Sequence, residues 1–398
     1  MITHHYPKGY SACGINCGIK KDKLDLAIIY SETPAAAAGV YTNNLLMAAP
    51  LQVTRDHLDQ AHTAQAILVN SGVANAAMGE VGYQDAAKCA AVLADVFSIP
   101  QENTVIASTG VIGIRLPYEK IINGILTCQA EMGTLDKTAQ IAAQAIMTTD
   151  TVPKTAGTTR MIDGKTITFW GMCKGAGMIH PNMSTMLGFV LCDAQVEAPA
   201  LQMALNTAVN DSFNMISVDG DTSTNDMVVV LANAQADNKM ISVDSKDYNQ
   251  FADALREVCI SLARQIVSDG EGATRMFTVN VSGAPSKADA RLVARSVASS
   301  SLVKAAMFGR DANWGRIACA AGYSGASFEP EKVDIAIGDV VVSRSGKGEV
   351  FDELQALSVL SGDNIPVYIE MHQGEGTATA WGCDLTYDYV KINADYRS

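Results

Sequence analysis

Short apolar runs alternate along this chain with stretches whose apolar residues recur at helical spacing. The runs are LAIIY (26–30), AILVN (66–70), NTVIAS (103–108), DMVVVLAN (226–233), FTVNVSG (277–283), VDIAIG (333–338) and PVYIEMH (366–372). They are rich in branched residues and end near Ser, Asn or Gly, which predicts strands. Between them, Phe251, Leu255, Val258, Leu262 and Ile266 form a single stripe and predict a helix over 247–267. Ser286 and Asp289 resemble a capping box, and Ala290, Val293 and Val297 follow at helical spacing, so another helix begins at Ser286. Residues 84–97 and 136–147 are Ala-rich helix candidates. The alternation predicts an α/β fold in which helices cover sheets. No low-complexity linker divides the chain, no fixed-period repeat appears, and the pattern does not set the strand order.

Composition narrows the classes. The chain has 398 residues, 48% of them hydrophobic and only 18% charged, which suits a large folded core. A net charge of −13 argues against a nucleic-acid partner, whose usual footprint is a basic face. Nine cysteines are scattered; only Cys13 and Cys17 sit close, and no second Cys or His pair completes a zinc site. Reduced, mostly buried thiols in a cytoplasmic protein are therefore expected. No secretory signal is visible at the N-terminus, and no apolar run approaches the ~20 residues of a membrane span. The six histidines form no metal-binding spacing, and neither a G-x-S-x-G elbow nor a complete phosphate loop occurs.

Five segments carry candidate chemistry. In VDGDTSTND (218–226), Asp219, Asp221 and Ser223 match the opening of a calcium loop, but Thr224 and Val230 replace its Gly and Glu. A tight polar turn or a site-shaping loop remains. VNSGVANA (69–76) and ASTGVIG (107–113) share a form, each a strand followed by small polar residues beside a glycine. Such turns are commonly plain, yet they also expose N–H groups suited to an oxyanion. In SDGEGATRM (268–276), Glu271 stands between two glycines, either at an ordinary helix stop or as a receiver for an ammonium group.

The fifth segment is KGAGMIHPNMSTMLGFVLCDA (174–194), where Ser184-Thr185 separates a Gly/Pro-containing loop from an apolar run. A Thr hydroxyl is a weak nucleophile without an adjacent base. Cutting the chain before Thr185 would supply one, because the freed α-amine has a reference pKa near ~8. The same hydroxyl can make the cut by attacking the preceding carbonyl and forming an ester that water resolves. Plain β propensity also places Thr at strand starts.

At these residues the chain resembles a known family, the self-cleaving bifunctional glutamate N-acetyltransferase/ornithine acetyltransferase of arginine biosynthesis. NSGVANA, STGVIG, TTDTVPK, ISVDGDTSTND, SDGEGATR, GRDANWGRI and AWGCDLTYDYVKINADYRS resemble its blocks in order, across the whole chain. The resemblance implies a layered α/β sandwich of two β-sheets flanked by helices. It implies a cut between Ser184 and Thr185, giving an α chain (1–184) and a β chain (185–398) that stay together, with two of each expected. Thr185 would take acetyl from N2-acetylornithine, release ornithine and pass the acetyl to glutamate. Acetyl-CoA is a possible second donor, with no bound cofactor and no metal.

Carried over by position, Thr109 and Gly110 match the oxyanion pair. Thr148 (with Thr149 as the near alternative), Lys174, Thr185, Glu271, Asn393 and Ser398 match substrate contacts. Lys174 suits a carboxylate and Glu271 an ammonium group. One departure is Ser184, where the family usually has Ala; Ser is small enough for the acyl shift but adds a competing hydroxyl. The rival reading is a self-cleaving amidase or aminopeptidase of the same fold, which would hydrolyse its acyl-enzyme with water.

Overall fold

The structure, a computed structural model, describes residues 6–180 and 186–395. Among them, two sheets are flanked by eleven α-helices, the layered α/β arrangement expected. The larger sheet runs in the order Thr104–Val111, Thr63–Val73, Leu26–Tyr41, Met227–Ala232, Leu187–Cys192, Lys165–Lys174, Lys154–Ile162. Tyr10–Ile15 pairs beside Leu26–Tyr41 and carries the short strand Gly133–Thr134. The smaller sheet orders Lys347–Gly348, Val340–Arg344, Asp334–Ile337, Asn364–Glu370, Met276–Ala284, Gly376–Cys383, Ile216–Ser217.

Leu187–Cys192 and Met227–Ala232 lie parallel in the middle of the larger sheet, buried on both faces, which is why each reads as an unbroken apolar run. On one face Val190, Val228 and Val230 meet the stripe of helix Tyr248–Ser268 in a core shared with helix Ala198–Asn210. On the other, Leu187, Phe189, Val229 and Leu231 join a second core with helix Leu135–Ala145. In the smaller sheet Phe277, Val279 and Val281 pack with helix Lys287–Ser299. That helix starts as its capping pattern predicts, Ser286 accepting from Asp289 N at 3.1 Å.

One strand is much longer than its apolar run. LAIIY continues to Tyr41 through SETPAAAAGV. The ladder with Thr63–Val73 slips between Tyr30 and Ala35, around Pro34, and pairing then passes to Met227–Ala232. A proline that cannot donate to the ladder is accommodated at such an irregularity.

Candidate active site

Strand ends and loops converge on one open cleft of roughly 960 Å³ counting its mouth. Its walls come from the ends of Thr104–Val111 and Lys165–Lys174, the start of Leu187–Cys192, residues 148–149, the loop 223–226, Glu271 and Asn393. The two glycine turns that look alike in sequence are neighbours there. Ser71 pairs with Thr109 and Gly72 with Gly110 in parallel register. Gly110 has φ +132°, and a Cβ on it would lie 2.3 Å from the Gly72 carbonyl carbon, so only glycine fits. Asn225 Nδ2 ties the turns together, donating to Ala74 O at 2.6 Å and Ser108 O at 2.8 Å.

Thr109 Oγ1 accepts a hydrogen bond from Lys174 Nζ at 3.1 Å. A hydroxyl that accepts in this way keeps its own proton to donate elsewhere. Burial draws the Lys174 pKa below its ordinary value, and Asp150 and Asp226 oppose that pull. Asp150 accepts from Gly175 N at 2.7 Å, Thr148 N at 3.0 Å and Lys154 Nζ at 2.6 Å. Burial alone would raise this carboxyl, but Lys174 and Lys154 hold it at about 2. Fully buried Lys154 also reaches Asp269 at 2.5 Å, and Asp269 holds Thr151 N at 3.0 Å. One ionic network therefore locks residues 148–151, the Lys174-Gly175 corner and the C-terminal end of helix Tyr248–Ser268, two residues before Glu271.

Glu271 leaves that helix end with its N–H on Ala176 O at 2.9 Å. Its carboxylate lies against Gly177, where a Cβ would come within 2.4 Å of Glu271 Cδ. Asn393, on the last helix Tyr387–Asp395, donates to Glu271 Oε2 at 2.8 Å. Tyr389 of the same helix donates to Asp219 Oδ2 at 3.3 Å. Asp219 in turn accepts from Met178 N at 2.6 Å and Ile179 N at 2.8 Å, so the aspartate loop orders the chain leading toward residue 181. That loop is both a tight turn and part of the cleft wall.

Thr109, Gly110, Thr148, Lys174, Glu271 and Asn393 thus meet in one cleft, and Thr149 lines it as well. Ser184, Thr185 and Ser398 lie outside the described residues; Met186, next to Thr185, lines the cleft. Sequence reasoning passed over Asp226, although a carboxylate opening an apolar strand is a visible signal. It also missed Lys154, and Lys20, whose Nζ bridges Ser71 Oγ and Met147 O at 2.6 Å each. Burial lowers the Lys20 pKa to about 8, against the pull of Asp25. Lys154 closes the block TTDTVPK together with its partner Asp150, but nothing in that block announces Asp269, and Lys20 stands in no quoted block; the fold brings their distant partners to them.

A two-sheet α/β fold whose cleft sets a half-buried ammonium on a hydroxyl, with a loop carboxylate beside them, defines an enzyme for small charged substrates. The ArgJ family model matches residues 11–398, and the chain belongs to that family. The arginine biosynthesis bifunctional protein ArgJ of Symbiobacterium thermophilum is 51% identical over 395 residues, covering 98% of each chain. The protein of that name from Thermotoga neapolitana is 47% identical over 397 residues, covering 98% of this chain and 99% of its own. The crystal structure of Bacillus halodurans ArgJ matches with a TM-score of 0.52 and 48% identity, covering 53% of this chain and 100% of that one.

Proposed function

We propose that the protein is an acetyltransferase of arginine biosynthesis that moves acetyl from N2-acetylornithine to glutamate through an ester on Thr185. The observation that carries this reading is the convergence, in a chain of the ArgJ family, of Lys174–Thr109 and Glu271–Asn393 on a cleft that also reaches Met186. Thr185 Oγ attacks the acetyl carbonyl and its proton passes to the Thr185 α-amine. The C–N bond breaks as the leaving ornithine nitrogen takes that proton. Glutamate's amine then attacks the ester and restores the hydroxyl. Thr109, with Gly110, donates to the oxyanion; Lys174 faces the substrate carboxylate; Glu271, held by Asn393, receives an ammonium group; Thr148 and Ser398 complete the contacts.

The amine base exists only after a cut between Ser184 and Thr185. Two α and two β chains in the cytoplasm, acetyl-CoA as a second donor and no resident cofactor complete the proposal. The test is a denaturing gel followed by mass spectrometry. Wild type should give two bands, with Thr185 at the new N-terminus, and acetyl should collect on the β chain when N2-acetylornithine is supplied without glutamate. Thr185→Ala should stay full length. Rapid donor hydrolysis indifferent to glutamate would favour an amidase instead.

A further inference from the structure

Lys20 is a half-buried cation that the reaction above does not use, and it stands behind the cleft rather than in its lining. Its Nζ donates to Ser71 Oγ and Met147 O at 2.6 Å each and to Leu24 O at 3.1 Å. An ammonium has three N–H donors, so each is spent on a different, uncharged oxygen. Two of these oxygens belong to walls of the cleft. Ser71 pairs with Thr109 in parallel register. Met147 O is one end of a peptide unit whose other end, the Thr148 N–H, donates to Asp150 at 3.0 Å. That unit is thus held at its oxygen by Lys20 and at its hydrogen by Asp150, directly before a side chain that lines the cleft. Ser71 Oγ donates onward to Ala145 O at 2.6 Å. Carbonyls 145 and 147 lie at and just past the end of helix Leu135–Ala145, whose last turn has no basic residue of its own. Carbonyls there lack intrahelical partners, and a cation is favourable beside them. The loop that carries Lys20 is fixed in turn. Fully buried Asp25 accepts from Cys17 N and Ile19 N at 2.7 Å and from Lys20 N at 2.8 Å, and its carbonyl accepts from Ser71 N at 2.8 Å.

We propose that Lys20 is a positioning residue for acetyl transfer, setting the oxyanion turn of Thr109 and Gly110 against Thr148 through Ser71 and Met147. This rests on the roles given above to Thr109, Gly110 and Thr148. The turn meets a charge that exists only in the transition state, whereas Thr148 meets bound substrate. Both must face one acetyl-amino acid at once, so the distance between the two walls matters as much as either wall alone. Lys20 is the cross-brace that sets this distance from behind. It touches neither substrate nor the reacting atoms and acts only through its hydrogen bonds. Without it, Ser71 Oγ and Met147 O lose their shared donor and the walls move independently. A misplacement of about 1 Å costs on the order of 10² in rate.

Lys20→Met keeps the length of the side chain and removes its donors. In the purified, cut enzyme kcat should fall about 10–100-fold and KM for N2-acetylornithine should rise about threefold or more. Ser71→Ala should act in the same direction, more weakly. The double variant should be little worse than Lys20→Met, because both substitutions break one link. Urea midpoints measured on the same proteins separate this from stability. A lowered midpoint with wild-type kcat and KM in the folded variants means that Lys20 only holds the fold, and overturns the proposal. Losses in kcat that multiply in the double variant overturn it as well. Should Lys20→Met fail to fold, Ser71→Ala decides: a reduced kcat supports the proposal and a wild-type kcat overturns it. The variants should still run as two bands, since a single slow cut tolerates such a loss; an uncut Lys20→Met chain would assign Lys20 to maturation and overturn the proposal too. If the wild type moves no acetyl from N2-acetylornithine to glutamate, the reading of the site itself fails, an outcome visible before any variant is made.

Discussion

Lys174 Nζ donates to Thr109 Oγ1 across 3.1 Å, joining a strand end and a glycine turn 65 residues apart in sequence. The pair works as one donor, because the ammonium polarises the hydroxyl that points its proton away. Thr109→Val keeps the shape and removes that proton. Turnover should fall on the order of 10²–10³-fold. Steady-state kinetics with N2-acetylornithine and glutamate measures it, and unchanged turnover in a folded variant would return STGVIG to a plain turn.

The same lysine predicts an alkaline limit. Burial lowers the Lys174 pKa, with Asp150 and Asp226 resisting. The working form is the ammonium, so transfer should be lost as pH rises, below the ordinary lysine value of ~10.4. Lys174→Arg stays charged throughout and should abolish that limb, at a cost in rate from its different geometry. A kcat/KM profile up to pH 10.5 tests both.

Asn393 steadies the Glu271 carboxylate from the last helix. The contact is solvent-exposed, so Asn393→Ala should cost only about 1 kcal/mol, roughly fivefold in KM for the amino-acid substrates. Deleting residues 394–398 should harm transfer more than self-cleavage, which does not need an acceptor. Comparing KM with the two-band pattern on a gel separates these effects.

Lys154 bears on stability. Lys154→Met leaves Asp150 and Asp269 without their buried partner and should destabilise the protein by about 3–5 kcal/mol in urea unfolding. Asp150 sits at about 2 when folded, below its unfolded value of ~3.9. It therefore adds stability above pH ~4 that is lost as pH falls toward 2. Without Lys154 much of that contribution disappears, and acid unfolding should begin at higher pH.

Local order was readable where local rules decide it. The stripe from Phe251 to Ile266 and the Ser286 cap became helices within a residue or two of their expected starts. The run beginning at Leu26 was cut short at Tyr30, because its continuation through four alanines lacks alternation and its burial comes from neighbouring strands. Of the cleft residues, Glu271 and the glycine turn holding Thr109 stand out by their own local pattern, whereas Lys174, Asn393 and the choice of Thr109 within its turn come through family resemblance. Asp150, Lys154 and Asp269 stand inside the blocks TTDTVPK and SDGEGATR, but their ionic network escaped notice because it joins residues 115 positions apart and leaves no periodic trace.

The strand order of the larger sheet has a consequence for molecularity. Leu187–Cys192 lies between Lys165–Lys174 and Met227–Ala232, and the latter pairs with Leu26–Tyr41. A cut at Ser184-Thr185 would leave two polypeptides sharing one sheet, with a pair of strands from the second inserted between strands of the first. Before the cut, folding is a first-order process in a tethered chain. Afterwards the pieces cannot part without unzipping the sheet, and reassembly becomes a second-order encounter. The uncut Thr185→Ala chain should thus refold from denaturant at a rate independent of protein concentration, whereas the cut protein should recover more slowly on dilution, its integrity resting on never having come apart.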